Sequence, residues 1–154
     1  MKGRIVMKRN RKFNTERGSS LVEMVIGASV LMTVIFGVLE VGRLLWTHNA
    51  LAEAARKGAR YAAISSQNAN NVKNFVVYGM TSPGGDATPV VYGMTTSNVT
   101  VTYTGFGVKQ GTVSVEITGY VFNFNVPIFG GGITMPSYKT TLTGESAGYV
   151  PASL

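Results

Sequence analysis

Residues 17–64 read RGSSLVEMVIGASVLMTVIFGVLEVGRLLWTHNALAEAARKGARYAAI, without a proline. The stretch predicts one continuous helix, apolar first and alanine-rich afterwards. Its apolar part runs from Leu21 to Trp46. The uncharged core of that part, Met24–Leu39, has 16 residues, or about 24 Å of helix. A bilayer core of about 30 Å asks for about 20 apolar residues. The helix therefore spans only if Glu40 and Arg43 are tolerated near one face. Three residues apart, they can neutralise each other on one side of the helix. The pair reads either as a self-contained ion pair at the membrane rim or as a contact between subunits. A charge inside a span costs roughly 2.5–3.5 kcal/mol on insertion scales. The anchor is thus weaker than an ordinary span, which suits a subunit that waits in a bilayer and is later withdrawn.

Upstream the chain is cationic. Lys2, Arg4, Lys8, Arg9, Arg11, Lys12 and Arg17 are opposed only by Glu16. These 17 residues carry +6 of the formal +7, leaving +1 for everything else. The pI near 9.9 therefore does not signal a nucleic-acid face, and no nucleic acid is expected as a partner. The positive-inside rule places the amino terminus in the cytoplasm and the carboxy terminus outside.

Downstream of Trp46 the helix is a slim rod. Ala55, Gly58, Ala59 and Ala62 fall on one face at i, i+3, i+4, i+7 spacing. They read as a packing face, with plain helix propensity as the bland alternative. Glu53 and Lys57 form a favourably oriented i,i+4 pair. SSQNANN (65–71) ends the rod. A short helix over 71–78, capped by Gly79, is expected next, with a strand as the alternative for FVVY. TSPGGDATP (81–89) is a loop. VVYGMT occurs at 76–81 and at 90–95, too short a match to claim a structural repeat.

From Val99 the period becomes two. Val99, Val101 and Tyr103 alternate with threonines, as do Val113, Val115 and Ile117 with polar residues. Gly119 interrupts, and the alternation resumes one register over at Phe122, Phe124 and Val126, which suggests a bulge or bend. PIFGGGITMP (127–136) reads as a loop and 137–144 as a last strand. The expected fold class is α+β: a long N-terminal transmembrane helix packed at its outer end on a small antiparallel β-sheet of three to five strands. The face bearing Val99, Val113, Val115 and Ile117 should meet the alanine-rich rod. The domains are a leader (1–18), a helical anchor and stem (19–64) and an extracytoplasmic head (65–154).

Several chemistries are excluded. With no cysteine there is no disulfide scaffold, thiolate metal site or thiol nucleophile. His48, the single histidine, has no acidic partner at i±4 and reads as a surface or interfacial residue. Asp86, Glu116 and Glu145 are not spaced as ligands or as a catalytic pair. FGGG (129–132) lacks the Lys-Ser/Thr of a phosphate cradle. No enzyme activity, cofactor or metal is expected. Charged residues are only 14% of the chain, against about 25% for soluble domains, so the chain is partly non-aqueous or packed among copies of itself.

The informative motif is Arg17-Gly18-Ser19-Ser20-Leu21-Val22-Glu23. An ordinary secretory signal is cut after its apolar stretch. Here a charged leader ends in Gly18 before it, and Glu23 is the fifth residue beyond. Cleavage between Gly18 and Ser19 would leave the apolar helix on the product. A carboxylate at the start of an apolar helix is favoured by the helix dipole. It could pair with the amino terminus of a neighbouring subunit and set axial register.

Basic leader, Gly and Glu together resemble the class III signal of type IV prepilins. The longer pattern narrows this. R-G-x-x-x-V-E at Arg17–Glu23, G-x-x-E-x-G-R at Gly37–Arg43 and A-A-R-x-G-A-R-x-A at Ala54–Ala62 resemble the signature of TadE-like proteins of the tight-adherence (Tad, or Flp) pilus systems. The family often carries a proline about eleven residues after the cut. Ser29 stands there, so a kink at this point has no support. The resemblance implies a minor pilin or pseudopilin cut by a prepilin peptidase. Its partners would be other pilin subunits and inner-membrane assembly proteins, in a homo- or hetero-oligomeric filament. A permanently membrane-anchored accessory or adhesive protein, or the main subunit of a filament, are the alternatives.

Overall fold

A computed structural model of the chain describes residues 15–65, 67–105, 111–126 and 130–143. Helix α1 runs unbroken from Thr15 to Ile64. Nothing in its sequence removes a backbone donor, and two hydroxyl residues of its apolar half are satisfied locally. The Ser29 hydroxyl donates to the Ile26 carbonyl at 2.8 Å, and that of Thr33 to the Ser29 carbonyl at 2.9 Å, the back-bonding that lets hydroxyl residues sit in an apolar helix.

The chain divides between Leu39 and Glu40 into two compact units. In the first, α1 is apolar all round and its large side chains, from Leu21 to Leu39, are exposed. A helix of that kind needs an apolar surrounding. It is long and apolar enough to cross a membrane.

The second unit holds the rest of α1 and, among the described residues, a second helix and five strands. Helix α2 covers Ala69–Tyr78, beginning two residues before the expected start. Asn68 caps it, its side-chain oxygen accepting from the Asn70 and Asn71 amides, and Gly79 closes it at φ 73°. The second VVYGMT copy is not helical, yet Gly93 there is also left-handed, at φ 80°. The two copies share a glycine turn and no larger structure.

Strands β1 (Val99–Thr104), β2 (Thr112–Ile117) and β5 (Tyr138–Thr143) form an antiparallel sheet in the order β1-β2-β5. Val101 pairs with Val115, and Val115 with Thr140. A second, two-stranded sheet pairs β3 (Val121–Asn123) with β4 (Gly132–Thr134). The expected α+β fold with a small antiparallel sheet is present as β1-β2-β5, and the β3-β4 sheet is an addition to it. Gly119, left-handed at φ 68°, is not a bulge within a strand. It ends β2, and Phe122 changes register because it belongs to another sheet. The loop expected over 127–136 contains β4, while residues 127–129 and 144 lie outside the described residues.

The core joins α1, α2 and both sheets. Leu51, Ala55, Ala59, Val72, Val76, Val77, Val115, Ile117 and Phe122 are buried together. Val99, Val113, Val115 and Ile117 are buried in that cluster with the alanine face, as the alternation predicted. On the opposite face Thr100, Thr102, Thr104, Ser114, Lys139 and Thr141 alternate with the core residues, which is the polar side of a one-sided sheet.

Candidate functional site

Gly18, Ser19 and Glu23 lie in exposed turns of α1. A Cβ placed on Gly18 would meet nothing within 4 Å. The fold therefore gives no reason for glycine there, although glycine inside a helix costs about 0.5–1 kcal/mol. Glu23 has no hydrogen bond or ion pair among the described residues. The leader that carries the positive charge is outside them, except for the start of α1.

Glu40 and Arg43 are a different matter. Glu40 is 6% exposed. Arg43 donates to its Oε2 from Nε at 3.1 Å and from Nη2 at 2.8 Å. The other oxygen, Oε1, accepts from the Asn125 amide at 3.0 Å. Arg43 Nη2 also donates to the Asn123 carbonyl, and its guanidinium lies 4.2 Å from the centroid of the Phe122 ring. The ion pair expected from the i,i+3 spacing is present, with backbone partners the spacing does not announce. The pair is a clamp that ties α1 to the chain leaving β3. Helix spacing brings the two charges together, and the unpaired backbone groups beyond β3 supply the remaining partners.

The small-residue face is internal. Ala55, Ala59 and Ala62 are 1%, 0% and 3% exposed, and Gly58 is buried. A methyl on Gly58 would run into Val76 Cγ2 of α2 and stand 3.4 Å from Val115 Cγ1 of β2. These residues pack on their own α2 and sheet, which decides between packing and mere propensity. Tyr61 stacks on Phe75 at 4.5 Å between centroids and extends the same α1–α2 contact. The opposite side of this stretch is charged and exposed, with Glu53 at 3.6 Å from Arg56 and 3.7 Å from Lys57.

Sequence reasoning missed three things. His48 does have a partner, the Tyr138 hydroxyl at 2.7 Å from Nδ1. Burial pushes the Tyr138 phenol above its usual pKa. The β3 strand and its following turn hold Glu40 and Arg43 through backbone groups, which no side-chain pattern announces. A cleft of about 550 Å³ opens among Arg43, Trp46, Tyr92, Asn98, Tyr120 and Asn123. Its floor is tied by the Tyr120 hydroxyl donating to the Tyr92 carbonyl at 2.8 Å. Burial raises the Tyr120 phenol, with Arg43 partly offsetting it. Among the described residues no group of three His, Asp or Glu could hold a metal ion.

No curated protein and no solved structure matches the chain. A family model does, over residues 18–60. That interval starts at Gly18, takes in the exposed apolar turns and the Glu40–Arg43 clamp, and ends within the buried Ala/Gly face. Over its long helix, from Gly18 to Arg60, the chain is similar to TadE-like proteins.

Proposed function

We propose that the chain is a minor pilin-like subunit taking part in the assembly of a Tad-type pilus. In this reading a prepilin peptidase cuts between Gly18 and Ser19. Residues 19–39 hold the product in the cytoplasmic membrane, the folded unit from Glu40 onward lies outside, and Glu23 sets register against a neighbouring subunit. The observation that carries the reading is the family match beginning at Gly18, a glycine for which packing has no use. A peptidase that must bring a backbone into its site supplies a use, since glycine alone presents no side chain.

The test is mass spectrometry of the protein from membrane and sheared-filament fractions. The mature chain should begin at Ser19 in both, with trace abundance in filaments. Gly18→Leu should leave the leader attached. Assembled protein that still begins at Met1 would refute processing. Abundance in filaments would make it the main subunit, and strict membrane retention would make it an anchored accessory protein.

A further inference from the structure

Arg43 and Trp46 are the fourth and seventh residues after Leu39 in the sequence. Both line the cleft described above, and so does Tyr92 from a separate segment. Trp46 is 60% exposed and Tyr92 93% exposed. Core packing does not account for a tyrosine so exposed. Its backbone carbonyl accepts from the Tyr120 hydroxyl, and its own hydroxyl has no hydrogen-bond partner among the described residues. Tryptophan and tyrosine next to an apolar span have the chemistry of the membrane interface, an apolar ring with a polar tip.

The cleft's charge narrows the ligand. Glu40 neutralises Arg43, so the cleft carries no net charge. Arg43 uses Nε and Nη2 on protein acceptors, while Nη1 has none among the described residues. An anion would gain that one N–H group. A cation would gain two exposed aromatic side chains. A ligand bearing both charges gains both. We infer that the cleft seats the headgroup of a zwitterionic phospholipid, with its phosphate on Arg43 and its ammonium against Trp46 and Tyr92.

The inference rests on the reading of residues 19–39 as the span, and the experiment separates the two. Trp46 is the sole tryptophan and so reports the cleft alone. Full-length protein is reconstituted in phosphatidylcholine vesicles containing a small share of lipid spin-labelled on the choline ammonium. Alkaline carbonate extraction tests the span, and Trp46 quenching tests the cleft. The expected result is a carbonate-resistant chain whose Trp46 is quenched by the headgroup label more than by an acyl-chain label. Unlabelled phosphatidylethanolamine should relieve the quenching about two- to fivefold more effectively than phosphatidylglycerol, which has no ammonium. Tyr92→Ala should abolish that preference without changing the thermal melt. A resistant chain with equal relief by both lipids, or with stronger acyl-chain quenching, would overturn the headgroup site and leave the span standing. A chain washed off by carbonate would overturn the span and the headgroup site together.

Discussion

Gly58 and Ala59 show what the short side chains of α1 are for. Gly58→Ala drives a methyl into Val76, and Val76 is β-branched and held in α2, so it cannot swing aside freely. A loss of about 1–3 kcal/mol is expected, read from the thermal melt of the folded unit. Val76→Ala placed on top should recover part of it, because the second change removes the offended methyl. If the double variant melts lower than the sum of the singles, the contact is not the cause. Ala59→Leu overfills the same interface and should cost a similar amount, about 1–3 kcal/mol. On an exposed spacer the same change would cost almost nothing. Arg43→Ala removes the bond to the Asn123 carbonyl and the contact with Phe122, and leaves Glu40 buried beside one amide. It should lower stability by about 1–3 kcal/mol, with faster hydrogen exchange at the Asn125 amide as the local sign.

At the scale of elements, α1 serves two units, and its secondary structure does not reveal the boundary between them. Leu51, Ala54, Ala55, Ala59 and Ala62 are core residues of the folded unit. A fragment beginning at Glu40 should therefore melt cooperatively, and one beginning at Ser65 should not. Near-UV circular dichroism of the two fragments checks this. Folded signal from the shorter one would mean the helix is dispensable. Much of this was legible beforehand. Proline-free apolar and alanine-rich periodicity gave α1, alternation gave β1 and β2, and Gly79 marked the end of α2, whose start after the Asn68 cap was placed two residues late. The split into two sheets was not legible, because β4 is three residues, Gly132–Thr134, within a glycine-rich run. A methyl on Gly132 would stand 2.6 Å from Val121 Cγ1, so the glycine is there for close strand approach rather than for a turn. The clamp was half legible. The i,i+3 spacing paired Glu40 with Arg43, but the Asn123 carbonyl and Asn125 amide are ordinary backbone, and backbone carries no signature in sequence.

For the whole molecule the decisive contrast is between the clamp and Glu23. One carboxylate is satisfied within the chain, while the other has no partner among the described residues. Glu23→Ala should thus leave membrane insertion and the melt of the folded unit unchanged while abolishing incorporation into filaments, measured by immunoblot of sheared fibres. Normal incorporation would leave Glu23 a helix-start residue and nothing more.

The alanine face of α1 also bears on the order in which the chain is made. Synthesis runs from the amino terminus, so Ala55, Gly58, Ala59 and Ala62 emerge well before β2, the strand that will cover Gly58. An uncovered helix face in a nascent chain is an opening for wrong associations. Built from single methyls and one bare backbone position, this face has little apolar area to offer a wrong partner. Leu51 and Tyr61 are its large side chains. The close fit that makes the finished interface tight also keeps the unfinished one from sticking.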